Sequence, residues 1–337
     1  MPSVSSSLPP LIGQSPAFLT MLDEVSRVAA LDRPVLVIGE RGTGKELVAA
    51  RLHFLSRRWD RPLVKLNCAA LAESLLESEL FGHEAGAFTG AVRRHIGRFE
   101  LAQDGSLFLD EIATCSAAVQ EKLLRAVEYG EFERVGGSQT LASDVRVIGA
   151  TNADLPALAA AGKFRADLLD RLAFEVITLP PLRARPEDIP VLADHFGITM
   201  ARHLGWPAFP GFTPSALDRL GHHPWLGNVR ELRNAVERTV ARAKNPKLPI
   251  NDLSLDPFAS PYRMPQIIAP PVVPCPAMVT INPGGLKAQI MEFERKLLET
   301  ALKEARFNQK QAATALDIGY HQFRRLLVRH GLSPEKG

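Results

Sequence analysis

The run Gly39-Glu40-Arg41-Gly42-Thr43-Gly44-Lys45 combines three glycines with a terminal lysine. Glycine permits positive φ and lets backbone N–H groups close around an anion. The lysine adds a point charge for the β- and γ-phosphates of a nucleotide. Residues 34–38 read as a buried strand leading into this run, and a helical pattern over 46–55 follows it. A helix N-terminus contributes favourable potential for phosphate. Strand, loop and helix in this order are the context of a Walker A site, and a glycine-rich turn with a solvated lysine is the weaker alternative. Glu46 departs from the pattern, since a Ser or Thr there normally offers its hydroxyl to magnesium. The metal must then be held through water and acids further along the chain.

Those acids are Asp110 and Glu111, at the end of an apolar run over 106–110 that reads as a strand. This is a Walker B arrangement, in which Asp110 would organise Mg2+ bound with ATP and Glu111 would polarise the attacking water as general base. Two surface acids in a turn is the alternative, disfavoured by the strand end.

A third feature is Gly86-Ala87-Phe88-Thr89-Gly90-Ala91. Its small residues and lone phenylalanine suit neither a strand nor a helix interior, so a mobile loop with an apolar tip is expected. A hydrophobic hairpin tucked into the core stays open at this level.

The elements that must position these residues alternate. Strands are expected over 34–38, 63–67, 106–110, 145–151 and 174–178, and helices over 46–55, 74–80, 117–128 and 166–172. That alternation predicts an α/β fold, a doubly wound parallel five-stranded sheet with ligand at the strands' C-terminal ends. From about Pro186 the strand signals stop, and helical patterns over 189–203, 214–222 and 229–244 predict a separate helical lid. Prolines then recur every few residues from Pro257 to Pro283, which reads as an extended linker. Beyond it, Ile290, Phe293, Leu297, Leu298, Ala301 and Leu302 form a helical stripe.

The last segment predicts two short helices, 308–316 and 320–330, around a turn. Ala312 and Ala313 allow close packing, and Leu316, Ile318, Phe323, Leu326 and Leu327 would fill a small core. In the second helix Tyr320, His321, Arg324, Arg325 and Arg329 would face double-stranded DNA, the first residues in the major groove and the later arginines with Lys310 on phosphates. A solvated basic helix is the plainer alternative. The stripe over 290–302 would pair two copies over a palindromic site, pack within one copy, or do both.

A chain of 337 residues has room for two or three domains, and a hydrophobic content of 46% is ordinary for a soluble protein. A net charge of +3 is too small to mark a nucleic-acid binder by itself. Cys68, Cys115 and Cys275 have no metal-ligand spacing, which argues against a zinc site or disulfide framework and suits a reducing cytoplasm. No signal peptide and no membrane span is expected.

Gly86 to Ala91 is identical to the signature loop of bacterial enhancer-binding proteins, the AAA+ activators of sigma-54 RNA polymerase. The resemblance runs from about Leu11 to Gly331 and takes in the Walker A run with Glu46. It also takes in Leu107-Phe108-Leu109-Asp110-Glu111, Phe164-Arg165-Ala166-Asp167-Leu168 and Trp225-Leu226-Gly227-Asn228-Val229-Arg230-Glu231-Leu232. It implies an AAA+ P-loop ATPase with helical lid, plus a C-terminal all-α Fis-type helix-turn-helix. Glu46 is then a family trait. The resemblance further implies that Gly86, Ala87, Phe88, Thr89, Gly90 and Ala91 contact sigma-54, with Phe88 and Thr89 foremost. Asn152 would sense the γ-phosphate, Asn67 would hold Glu111 by a hydrogen bond, and Arg230 would be a second sensor. Arg165 and Arg171 would be arginine fingers in the neighbouring subunit's site of a homo-hexamer, although spacing alone favours pairing with Asp167 and Asp170. In the helix-turn-helix, Asp317 stands where glycine is usual and Gly319 where a hydroxyl cap is usual; Asp tolerates a left-handed turn and Gly is an acceptable cap.

The expected organisation is a flexible N-terminus over 1–10, the α/β ATPase subdomain over 11–180, the lid over 181–256, the linker over 257–284 and the DNA-binding domain over 285–337. The implied partners are sigma-54 RNA polymerase holoenzyme and enhancer DNA, in the bacterial cytoplasm. Within the family, the branch governing the phage shock response is the nearest resemblance. It implies regulation in trans by a negative regulator, phage shock protein A. A helicase-loader-like ATPase and a passive DNA-bound protein with a vestigial ATPase are the rival classes. The first lacks the Gly86–Ala91 signature, and intact Lys45, Asp110 and Glu111 argue against the second.

Overall fold

The computed structural model describes residues 10–243, 245–260, 262 and 285–332, within two compact units, 1–260 and 261–337. Most of the expected N-terminal tail and linker, and Cys275, lie outside the described residues.

Among its described residues the first unit has seven strands: β1 (Val35–Ile38), β2 (Leu63–Asn67), β3 (Ser106–Asp110), β4 (Glu131–Glu133), β5 (Thr140–Ala142), β6 (Arg146–Thr151) and β7 (Glu175–Thr178). Five of them form one parallel sheet in the order β2-β3-β6-β1-β7. The central strands are near-continuous apolar runs, as burial on both faces requires, and β6 is buried along its whole length. Register places Ile38 beside Thr151 and Asn67 beside Asp110, so the polar residues closing these strands share the sheet's C-terminal edge. Strands β4 and β5 form an antiparallel hairpin that the sequence reading missed. Three-residue strands are too short to display a period.

Helices α1 (Pro16–Ala29), α2 (Lys45–Phe54), α3 (Glu73–Phe81), α4 (Arg98–Leu101), α5 (Ala117–Glu128), α6 (Leu155–Ala160) and α7 (Ala166–Leu172) accompany the sheet. Helix α1 begins where the Ser15 hydroxyl accepts from Phe18 N, with Pro16 at the first helical position, a favoured start. It buries Phe18, Met21, Val25 and Val28, at helical spacing, against Val35, Val37 and Ile148. Leu36, Leu107 and Leu109, on the opposite face, pack with Phe81, Phe99 and Leu123. Alternation along each strand supplies the two cores.

The lid is α8 (Asp188–His203), α9 (Pro214–His222) and α10 (Asn228–Arg242), around fully buried Trp225, whose indole N–H donates to Leu220 O at 2.8 Å. Among the described residues no helix is long and apolar enough to cross a membrane.

The second unit holds α11 (Gly285–Glu304), α12 (Gln309–Ala315) and α13 (Tyr320–Arg329). Leu298, Ala301 and Leu302 of α11 close its core over Ala312, Ala313, Phe323 and Leu327, so the C-terminal half of the apolar stripe packs within one copy. Ile290, Phe293 and Leu297 on the same helix are exposed. Asp317 turns the chain between α12 and α13 at φ 52°, and Gly319 caps α13.

Candidate nucleotide site and projecting loop

Gly44 caps α2 in a left-handed conformation, φ 103°, and Gly42 has φ 79°. A Cβ on Gly42 would stand 2.3 Å from Gly227 O of the lid, so glycine there serves both conformation and close approach. Lys45 is 8% exposed, and its Nζ donates to Gly39 O at 2.9 Å and Glu40 O at 3.4 Å. Burial lowers its pKa, opposed by the nearby charges of Glu111 and Asp110. A cavity of about 540 Å³ brings Lys45 together with Arg41, Asn67, Asp110, Glu111 and Arg230. Glu46 also lines it, its carboxylate turned to Lys65 Nζ at 3.0 Å. The first turn of a helix leaves N–H groups without intrahelical partners, which suits Lys45 and Glu46 to phosphate.

Asp110 Oδ1 accepts from Glu111 N at 3.0 Å, and Glu111 sits at φ 53°, an uncommon conformation for a non-glycine residue. The expected bond between Asn67 and Glu111 is not formed. Asn67 Oδ1 instead accepts from Ala69 N at 2.9 Å, capping the short turn over 68–70. Directly below, Cys68 and Cys115 are buried free thiols; their mutual hydrogen bond and burial push the Cys68 thiol up, away from reactivity. Asn152 is exposed just past β6 and does not line the cavity.

Glu40 faces away from the cavity, toward the lid. It accepts from Arg183 at 2.8 and 2.5 Å and from Asn228 Nδ2 at 3.0 Å, which hold its carboxyl down at about 2. Asn228 is fully buried at φ 53°, also donates to Arg41 O, and accepts from Leu182 N at 2.8 Å. Arg230 N donates to Gly42 O at 3.3 Å. The lid is thus clasped to the glycine loop through Arg183 and Asn228, neither of which was foreseen as a site residue. Asn228 lay within the quoted Trp225–Leu232 run, where only Arg230 was singled out.

Arg165 and Arg171 lie outside the cavity lining. Arg165 pairs with Asp167 at 3.0 and 2.7 Å, which its extended N-cap conformation at the start of α7 allows. Arg171 pairs not with Asp170 but with Glu128 at 2.6 Å, because adjacent helical residues point apart while α5 packs against α7.

The segment 86–91 stands outside the hydrophobic core; only Ala91 is buried, and Phe88 is 44% exposed. Gly86 N donates to Ala91 O at 2.8 Å and Ala91 N to Phe88 O at 3.0 Å, closing the tip on itself. Beneath it, buried Arg134 donates to Glu84 at 2.8 Å and to Glu100 at 3.0 and 2.5 Å. In the second unit His321, Arg324, Arg325 and Arg329 are exposed on α13 and Lys310 on α12, with Tyr320 half-buried. No acidic residue interrupts α13.

Comparison with known proteins gives three matches along the chain: a Sigma-54 interaction domain over residues 11–178, an AAA+ ATPase lid domain over 183–263, and a bacterial regulatory protein, Fis family, over 289–328. The Psp operon transcriptional activator of Escherichia coli K12 is 55% identical over 320 residues, 95% of this chain and 97% of that one. The transcriptional regulatory protein ZraR of Salmonella typhimurium is 46% identical, over 94% of this chain and 68% of the relative. The crystal structure of NtrX from Brucella abortus in complex with ATP superposes with a TM-score of 0.68 at 32% identity, covering 96% of this chain and 70% of that one. The complex of the same protein with ADP gives the same values.

Proposed function

The chain belongs to the family of sigma-54-dependent transcriptional activators, AAA+ proteins with a Fis-type helix-turn-helix, and from that premise we propose that it opens promoters by remodelling sigma-54 RNA polymerase holoenzyme at the expense of ATP. The observation that carries this reading is the Gly86–Ala91 tip, held outside the core on a clamped base in the same unit as the Lys45, Asp110 and Glu111 cavity.

Bound ATP with magnesium would supply the phosphoryl group whose transfer to water drives the cycle. Lys45 and the glycine-loop N–H groups would hold its phosphates, Asp110 would hold the metal, and Glu111 would take the proton of the attacking water. Arg165 and Arg171 leave their present carboxylate partners and enter the neighbouring subunit's site in a homo-hexamer; their position outside their own cavity supports action in trans. Arg230 reports the γ-phosphate to the lid, Asn152 acts as a further sensor at the end of β6, and Asn67 leaves Ala69 N to hold Glu111 by a hydrogen bond. Gly86 to Ala91 engage sigma-54, Phe88 and Thr89 foremost. Tyr320, His321, Arg324, Arg325 and Lys310 anchor the protein at enhancer DNA in the bacterial cytoplasm. Kinship with the Psp operon activator supports a role in the phage shock response, under a trans-acting negative regulator of the phage shock protein A type.

The test is Thr89→Ala, which should lose sigma-54 capture and activation while ATPase activity is largely retained. Survival of capture and activation in that variant would sink the loop assignment.

A further inference from the structure

Just past the loop, Val92, Arg93, Arg94 and His95 line a second cavity of about 340 Å³ with His83 and Gly90. The cavity sits on a built base. His83 and His95 exchange backbone hydrogen bonds at 3.2 and 2.9 Å, their rings stack at 5.4 Å, and the His83 ring meets Phe88 edge-on at 4.9 Å. Ser78 Oγ holds His83 Nδ1 at 2.7 Å.

The charges around this base do not cancel. Arg98 is paired with Glu79 at 2.7 Å, and Arg134 occupies Glu84 and Glu100. Arg94 reaches the already engaged Glu100 only at 3.4 Å. Arg93 is exposed and, among the described residues, has no hydrogen-bond or ion-pair partner. Against Glu79, Glu84 and Glu100 stand Arg93, Arg94, Arg98 and Arg134, so the excess positive charge is on Arg93 and, in part, Arg94. Beside them Val92 is 90% exposed and Ile96 50%.

Resting on the reading of the loop given above, we propose that Arg93 and Arg94, with Val92 and Ile96, form a second docking element for sigma-54, which receives a stretch of that polypeptide carrying an acidic residue beside apolar ones. The loop tip engages one part of the partner, and this site fixes its register by charge. A polypeptide fits better than a nucleic-acid backbone. Exposed apolar side chains flank the cations, and with Arg98 and Arg134 engaged by Glu79, Glu84 and Glu100 the remaining positive charge matches a single carboxylate and not a run of phosphates.

The experiment uses the full chain held with ADP and aluminium fluoride, and measures capture of purified sigma-54. Arg93→Glu touches no partner within the fold, so its ATPase activity and melting temperature should stay at the wild-type level. Its affinity for sigma-54 should fall roughly tenfold or more, and the double variant Arg93→Glu, Arg94→Glu should fall further. Arg93→Lys should retain most of the affinity, and raised salt should weaken wild type more than Arg93→Glu. Unchanged capture by Arg93→Glu, beside normal capture by wild type, overturns the site while leaving the activator reading intact. Capture of isolated sigma-54 that is unchanged, with loss seen only when promoter DNA is added, assigns the cations to nucleic acid and overturns it too. Wild-type protein that captures no sigma-54 overturns both readings.

Discussion

Arg134, one residue past β4, donates to Glu84 at 2.8 Å, two residues before the loop segment that begins at Gly86. The same guanidinium holds Glu100, whose other role is to accept from Gly97 N at the start of α4. One buried cation therefore ties the hairpin to both sides of the loop's base. The β4–β5 hairpin contributes the piece that the loop itself lacks, a rigid attachment.

Replacing Arg134 with Met should release that attachment. The guanidinium is 4% exposed but its acids are partly solvated, so the expected loss of stability is roughly 1–3 kcal/mol. Sigma-54 capture should fall more steeply than ATPase activity. Thermal denaturation and capture measured side by side check this, and equal losses in both activities would place Arg134 in general packing only.

The Glu40 clasp predicts a pH dependence. Arg183 and then Asn228 depress the Glu40 carboxyl from an ordinary 4.5 to about 2. Stability from a depressed carboxyl is fully present above the ordinary value and is lost as pH falls through the folded one. Both partners are about half exposed, so solvent screening keeps the contribution small. The gap in Tm between wild type and Glu40→Gln should be steady from neutral pH down to about 5, then close toward pH 2. A gap that widens on acidification would contradict the assignment.

Gly42→Ala should damage nucleotide binding through the lid. The added Cβ would be 2.3 Å from Gly227 O at a residue with φ 79°, and relief requires the lid to move off the glycine loop. Strain of roughly 1–3 kcal/mol corresponds to a loss of ATP affinity of about 5-fold to 150-fold. Isothermal titration with ATP measures it; wild-type affinity would show that the lid contact plays no part in binding.

Much of this organisation was legible in the residues. Apolar runs closed by Asp110 and Thr151 marked β3 and β6 because parallel strands buried on both faces leave a continuous signal, whereas β2, at the sheet edge, is only partly buried and carries an exposed Lys65. Helices α5, α7 and α9 were legible from their periodicity, to the residue. Helix α1 was not among the expected elements, although Ser15-Pro16 is a good start signal. What escaped was tertiary. Nothing in local spacing says that Arg171 reaches Glu128, that Asn67 caps its own turn, or that Asn228 joins the lid to Glu40. Such pairings join residues 43 to 188 positions apart, or choose between equivalent local partners.

Hydrolysis in the Lys45–Asp110–Glu111 cavity is proposed to drive opening of sigma-54 promoters. Open-complex formation by the full chain with sigma-54 RNA polymerase, on a sigma-54 promoter bearing its enhancer, measures this most directly. Open complexes are expected with ATP, and none with a non-hydrolysable analogue or with Glu111→Gln. A protein that hydrolyses ATP well yet never opens that promoter would contradict it.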